Sequence, residues 1–587
     1  MLPPPAFAPR LGLRRLRGLS IRKPNAHSGS PLSARGGGSP PPLVAYIASD
    51  SSGSGWADPY FWLASYWAPT IQQYTYSSNY RADFITCFNY DGDWVGNNNW
   101  DNLDNYTLWA YVYYAVIESE THYFIFYMLF HPRDWHALNL IADMHENDME
   151  GAMLVIEKNG SKYGRLLIME TRAHLDFYQY SNDTGVGDTD NDNVDGPIIT
   201  EGHRPILYVE SQGHGVYGDA DRADDLYPLY DGVVTYRYLG NLTDVPEGGS
   251  DDNVSYALIP IMRSLWPRRW DMGDGHMYDV PFNYTGARFS FSREIPEAFD
   301  GDDYGEDKAN PPWGMNDTND GPVYTGDWFF DPAYTVSTHL NISYEFSLNY
   351  TYNPYLIEDG PEFNPPIVEI LSPASGEYVG VSEVNITWNV SDEYDLYNLT
   401  VAVDGEVVFW CRSHGVGNIS MDLSDGEHVL NICAMDIWGN YRWVARSFYV
   451  DTRPPRISIL SPENGTYHNS SEIVVSWEAY DENNISRYSL YVDGQLVATF
   501  PPSNNRTNIS LSEGGHRICV EANDSAGRTN MSLVEIVVDL TPPTLDITSP
   551  QNNSEMVYSS SVTVEWNAGD NNDIDHFEVS VDGSAWE

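Results

Sequence analysis

From residue 367 onward, apolar and polar residues alternate in short runs: VNITWNV around Trp388, EIVVSWEAY around Trp477 and SVTVEWNA around Trp566. A period of two puts one set of side chains on a buried face and the other in water, which predicts half-buried strands. The β-branched content of these runs, and the Asp-Gly and Pro-Pro pairs between them, predict short strands joined by tight turns. The Pro-Pro pairs cannot donate to a ladder, so they mark edges and linkers. Residues 43–352 carry runs of another kind. YFWLASYW, YTLWAYVYYAV and THYFIFYMLF are dense in aromatic residues and read as strands of a larger unit with an aromatic core. No window reaches the ~18 apolar residues of a membrane helix. The predicted class is all-β throughout.

The alternating region repeats. Pro365-Pro366, Pro454-Pro455 and Pro542-Pro543 open IVEILSP, RISILSP and TLDITSP at spacings of 89 and 88 residues. Trp388, Trp477 and Trp566 recur with that period, as do Asp392, Asp481 and Asp570 and the turn residues Asp404, Asp493 and Asp582. His428 matches His516, and Asp436 with Gly439 matches Asp524 with Gly527. A fixed period signals serial units, and about seven strand runs with one inward Trp per unit fit a two-sheet sandwich. These units resemble the bacterial and archaeal Ig-like modules of extracellular stalks, over residues 361–587. The resemblance implies a mechanical role: rigid serial sandwiches that hold another domain away from the cell, or adhere weakly to glycans. The division that follows is a tail at 1–42, a large β-sandwich head at 43–360, and Ig-like repeats at 361–452, 453–541 and 542–587. The last segment is expected to be a truncated sandwich with an unpaired edge.

Charge narrows the partners. The chain carries 84 acidic against 31 basic residues, a formal net charge of −53. Nucleic acid and anionic membranes repel such a surface, whereas divalent cations are drawn to it. Residues 1–42 are basic and rich in Pro, Gly and Ser, without the apolar stretch of a secretory signal; they are expected to be a disordered tail. Asn-X-Ser/Thr sequons recur from Asn105 to Asn552, a density expected of an exported, glycosylated surface protein. Cys411 and Cys433 lie in one repeat and are candidates for a bridge across its two sheets; four buried thiols are the alternative. Cys87 and Cys519 have no evident partner.

Candidate chemistry lies in the head. His145-Glu-Asn-Asp148-Met-Glu150 precedes the apolar run AMLVI. A strand beginning near Asp148 projects Asp148 and Glu150 from one face, with His145 folding over from the turn. An imidazole and two carboxylates at one strand start suit a divalent cation, Ca²⁺ or Mg²⁺. A second candidate is Asp188-Thr-Asp190-Asn-Asp192-Asn-Val-Asp195-Gly, whose alternating carboxylates suit a calcium loop without the Glu of an EF-hand. A third acidic run, Asp300 to Asp307, is less regular and is expected to be solvated.

The first of these motifs is similar to the H-x-x-D-x-E core of the necrosis- and ethylene-inducing peptide-like proteins. It is closer still to the H-E-G-D-W-E motif of the related vacuolar-sorting-associated proteins, with Met149 in place of Trp and Asn147 in place of Gly or His. RPILYVESQGHGVYGD, from Arg204 to Asp219, resembles a later segment of that superfamily, with His214 and Tyr217 at its His and Tyr; His174 and Trp313 also fall where such proteins carry His and Trp-Gly. The resemblance implies a β-sandwich with an acidic cation pocket made by His145, Asp148 and Glu150. Either Asp134 or Asp143 would supply a further upstream acid.

Two functions follow. One is a surface protein presenting a cation-bearing head on an Ig-like stalk to a glycan, lipid or cell-surface ligand. The other is a metal-dependent extracellular hydrolase with His214 or His174 as acid–base. The first is favoured, because no G-x-S-x-G or H-E-x-x-H motif is present.

Overall fold

The computed structural model describes residues 54–136, 144–225, 230–305, 307–317, 323–358, 360, 362–555 and 561–583. The basic tail, Asp143 and Glu306 lie outside the described residues. Strands dominate all that is described, so the all-β expectation holds.

The head is built on one long sheet. Its principal strands are β1 (Thr70–Thr75), β2 (Tyr111–Ser119), β3 (His122–Asp134), β4 (His145–Glu157), β5 (Arg165–Ala173), β6 (Asp176–Tyr180), β7 (Val194–Gly196), β8 (Arg204–Val209), β9 (Gly232–Tyr238) and β10 (Asp251–Pro260). Their order is β8-β1-β9-β10-β2-β3-β4-β5-β6-β7, with the short strand Val216–Tyr217 paired to β8. The sheet folds over on itself: Gln73 of β1 is 3.0 Å from His131 of β3, although three strands separate them in the order.

Both faces of β2 and β3 are covered, which is why these strands read as unbroken apolar runs. On one face, Tyr127 donates its hydroxyl to Ala64 O at 2.6 Å. On the other, Phe126 meets Trp328 edge-on at 5.0 Å. One expectation fails here. Phe61–Trp67 is a helix rather than a strand. Tyr60, at its N-cap, and Leu63, Ala64 and Trp67 within it are buried, and their spacing of three, four and seven is the helical period, which aromatic content alone obscures.

Each of the first two repeats is a two-sheet sandwich. In the first, Ile367–Ser372, Glu383–Ser391 and Gly415–Asp422 form one sheet. Leu396–Val403, Glu406–Cys411, Gly426–Asp436 and Asn440–Val450 form the other. Trp388 and Trp477 are buried at the two centres, at 2% and 0% exposure. Ile547 pairs with Trp566 in a two-stranded sheet in the third, where Trp566 is 37% exposed.

The first repeat is knitted into the head. Ser54–Trp56 adds to its sheet, antiparallel to Asn440–Arg442. Trp438, from the turn before that strand, is wholly buried in the head's core. Trp56 Nε1 donates to Trp438 O at 2.7 Å.

The predicted bridge between Cys411 and Cys433 does not form; all four cysteines are free. Both belong to one sheet, on either side of the strand Leu396–Val403, not across the two sheets. Cys411 is in register with Leu399 and Cys433 with Thr400, so the two thiols point to opposite faces two strands apart, beyond disulfide reach.

Candidate metal centre in the head

The centre lies where the ends of β3 and β4 meet the loop after β8. Register pairs His131 with Asp148 and Leu129 with Glu150, so Asp148 and Glu150 do share a face and His131 joins them. Four non-glycine residues in this small region adopt left-handed backbone: Asn147, His174, Gln212 and His214, with φ between 55° and 75°. Such conformations cost of order 1–3 kcal/mol each and persist only where surrounding contacts hold them.

His214 is wholly buried between two carboxylates. Its Nδ1 lies 2.9 Å from Asp148 Oδ2 and its Nε2 3.3 Å from Asp83 Oδ1. Burial disfavours a charged ring, but the two acids outweigh it and raise the pKa to about 10. Asp83 is itself fixed, accepting from the Gln212 amide at 2.9 Å, from Trp135 Nε1 at 3.1 Å and from the Tyr76 amide at 3.0 Å.

The His131 ring stacks on that of His214 with centroids 3.8 Å apart. Gln73 donates its amide to Tyr74 O and Glu210 O, so its Oε1 is the acceptor facing His131 Nε2. The proton therefore sits on Nε2, and the buried Nδ1 keeps a lone pair with no hydrogen-bond partner. Burial, with the positive His214 alongside, holds His131 neutral and its pKa well below the ordinary range. One atom each from His131, Asp148 and His214 lies within 4.8 Å of the other two.

Further acids and imidazoles surround this trio. His174 Nε2 approaches Glu210 Oε1 at 2.5 Å, and the His174 amide donates to Glu150 Oε1 at 2.5 Å. Gly213 permits that closeness, since a Cβ there would lie 2.9 Å from His174 Cε1. His174 has its pKa raised to about 10: burial opposes the charge, and the Glu210 carboxylate overrides it. Burial, together with the charges of Asp148 and Glu210, raises Glu150 to about 8. Asp134 Oδ1, Glu150 Oε2 and Glu210 Oε2 are buried without hydrogen-bond partners. The site reaches solvent at His174, whose side chain is 39% exposed.

His145 takes a different place from the one its spacing suggested. It lies 3.3 Å from Asp134, and its Nδ1 donates to Asn147 O at 2.8 Å. Both ring nitrogens are thereby committed; the pKa rises to about 9, burial notwithstanding, chiefly through Asp134. The donor set around Asp148 is thus His131 and His214, not His145 with Glu150. Tyr217 is buried beside Glu210 and Glu150, its hydroxyl without a hydrogen-bond partner. Trp313 belongs to the core, donating to Pro296 O.

The Asp188–Asp195 loop does not gather its carboxylates. Asp188 Oδ1 accepts from the Val194 amide at 2.9 Å, Asp195 accepts from the Gln179 amide and pairs with Arg222 at 2.7 Å, and Asp190 is exposed. Among the described residues no three of Asp188, Asp190, Asp192 and Asp195 converge. Two contacts explain this: Val194–Gly196 joins the sheet as β7, and Arg222, from the helix Ala220–Asp225, neutralises the acid that would close the loop. Asp302 and Asp303, by contrast, meet Glu146.

His131, Asp83, Glu210 and Gln73 escape a sequence reading. Only His131 leaves a signal, an imidazole directly after the apolar run THYFIFYMLF.

Comparison with known proteins bears on the other end of the chain. Residues 455–520 and 543–585 match the bacterial Ig domain family. These segments fall in the second and third repeats. No curated protein matches the chain. Among solved structures, the fibronectin(III)-like modules of Clostridium thermocellum CbhA align at 20% identity over 29% of this chain and 94% of theirs, with a TM-score of 0.23. The chicken CNTN1 fibronectin domains align at 19% identity, over 30% and 69%, with a TM-score of 0.20. An I-band fragment of titin aligns at 12% identity, over 35% and 88%, with a TM-score of 0.25.

Proposed function

We propose that this is an exported, glycosylated surface protein, in which a cation-binding β-sandwich head is presented on Ig-like repeats for adhesion to a glycan, lipid or cell-surface ligand. The head runs to residue 360 and the repeats follow it. The reading rests on one observation, the buried convergence of His131, Asp148 and His214, near which His174, paired with the buried Glu210, reaches solvent. The donor set fits a divalent cation. His131 offers an unpartnered Nδ1 with its other nitrogen anchored by Gln73, the arrangement expected of a metal-binding histidine. His131 Nδ1 and Asp148 would hold the ion, which would supply positive charge to an anionic or hydroxyl-rich ligand; His214, held protonated between Asp83 and Asp148, would join them only by releasing a proton. Asp83 orients His214, and Gln73 sets the tautomer of His131. Export is supported by the sequons, which include the exposed Asn159, Asn182, Asn253, Asn283 and Asn505. Among the described residues no helix is long and apolar enough to cross a membrane.

The test is binding of the full chain to cells and to a glycan array, with and without chelator, for wild type and Asp148→Asn. Saturable, cation-dependent binding lost in the variant is expected. Binding indifferent to both would sink the proposal. Turnover of glycan, ester or phosphodiester substrates that Asp148→Asn abolishes would replace it with the hydrolase.

A further inference from the structure

Where the second repeat begins, three acids from separate parts of the chain meet. Asp451 lies on the linker, Asp481 follows the strand Glu472–Tyr480, and Asp524 ends the strand Gly514–Asp524. One carboxylate oxygen from each lies within 4.8 Å of the other two. Asp451 is 2% and Asp524 1% exposed.

Each acid uses one oxygen locally. Oδ1 of Asp451 accepts from the Arg453 amide at 3.2 Å, that of Asp481 from the Asn483 amide at 2.8 Å, and that of Asp524 from the Arg528 amide at 2.8 Å. The Oδ2 atoms of Asp451 and Asp524 are buried and accept no hydrogen bond. Arg453, close by, is drawn instead to Asp425 at 2.8 Å and Glu482 at 2.5 Å. Burial raises the pKa of Asp524, and the charges of Asp451 and Asp481 raise it further.

The arrangement recurs with the repeat. Glu362, Asp392 and Asp436 occupy the corresponding positions where the head meets the first repeat, and they too converge within 4.8 Å. Glu362 Oε2 has no hydrogen-bond partner, while Asp436 Oδ2 accepts from Asn440 at 2.6 Å. At the next junction Asp539 and Asp570 form the same turns, accepting from the Thr541 and Asn572 amides. A buried carboxylate oxygen without a partner is unfavourable, so its repetition at successive junctions calls for a counter-charge. All the donors are carboxylate oxygens, from a linker, a strand end and the turn after a strand, and calcium takes such hard oxygen ligands in more variable geometry than the near-octahedral set magnesium demands.

We propose that Asp451, Asp481 and Asp524 form a calcium site that ties the linker to the end of the second repeat, with Glu362, Asp392 and Asp436 as its counterpart at the head. One ligand comes from the linker and two from the repeat, so the ion fixes the angle between neighbouring units and stiffens the array. This site is independent of the centre in the head.

The test is calcium titration of the full chain by calorimetry, with small-angle scattering in calcium and in chelator. Asp481→Asn/Asp524→Asn keeps the Oδ1 acceptors and side-chain size while removing two charges. The variant is expected to bind one calcium fewer than wild type. It is also expected to lose part of the calcium-dependent rise in melting temperature and of the extension seen by scattering. If the double variant fails to fold, Asp481→Asn alone, at the half-buried loop position, is expected to weaken the same binding event. An unchanged number of bound calcium ions, with an unchanged calcium shift in melting, would overturn the proposal. Asp148→Asn separates the two sites: if it alone removes calcium binding, the junction site is wrong and the head centre stands.

Discussion

The imidazole of His131 lies flat against that of His214, centroids 3.8 Å apart and planes 6° from parallel. Two rings so placed do not both carry charge. His214 holds the proton because Asp83 and Asp148 flank it, and His131 stays neutral. Removing His214 leaves two buried carboxylates facing each other. His214→Gln is therefore expected to destabilise the head by about 3–5 kcal/mol, read as a lower denaturation midpoint; a loss under about 1 kcal/mol would contradict this account of the pair.

Trp438 belongs to the first repeat by sequence and to the head by packing. Trp438→Ala is expected to cost about 3–5 kcal/mol, as for a buried aromatic. Because the residue joins two cores, calorimetry should show the head and first-repeat transitions both falling. A fall confined to the repeat would mean that the two units are not coupled through this side chain.

The repeats share an ion pair at one turn. His428 Nδ1 meets Asp404 Oδ2, and His516 Nδ1 meets Asp493 Oδ2, each at 2.8 Å. The Nε2 atoms donate to Ser424 O and Ser512 O at 2.8 and 2.9 Å. Both ring nitrogens donate, so the charged form is held and both histidine pKa values rise despite partial burial. The two aspartate values fall; at Asp493 the Arg517 amide contributes most, and at Asp404 the Val429 amide and His428 overcome burial. A raised histidine stabilises below its unfolded value of about 6.5 and loses that contribution as pH climbs through the folded value. A depressed aspartate stabilises above about 3.9 and loses its contribution as pH falls through the folded value. Stability of the repeats should therefore fall as pH rises past the unfolded histidine value of about 6.5, by an amount that His428→Gln/His516→Gln abolishes. Denaturation midpoints with identical pH dependence in wild type and variant would refute it.

Cys411 and Cys433 point to opposite faces of one sheet. Thiol titration of the unfolded, non-reduced chain is expected to find all four cysteines free, and Cys411→Ser/Cys433→Ser should leave electrophoretic mobility under non-reducing conditions unchanged. Two missing thiols would reveal a bridge that this geometry forbids.

Much of the chain's organisation was legible in the residues. Period-two alternation, Pro-Pro and Asp-Gly punctuation and the inward tryptophans predicted the sandwiches, because strand burial and turn chemistry are local. The same locality put Asp148 and Glu150 on one face. It failed at Phe61–Trp67, where aromatic density masked a helical spacing, and at Asp188–Asp195, where an arginine from a distant helix took the closing acid.

What the sequence by itself determined was therefore the β class, the 88–89-residue period, the acidic surface and the side-chain alternation along each strand. Only the tertiary structure decided which acids and histidines meet. His131 reaches Gln73 because the long sheet folds over, His214 reaches Asp83 across 131 residues, and Asp451 reaches Asp524 because a linker lies against a turn. Such partners are set by how layers pack and by which buried charges must be balanced, and neither is written in the spacing of neighbouring residues.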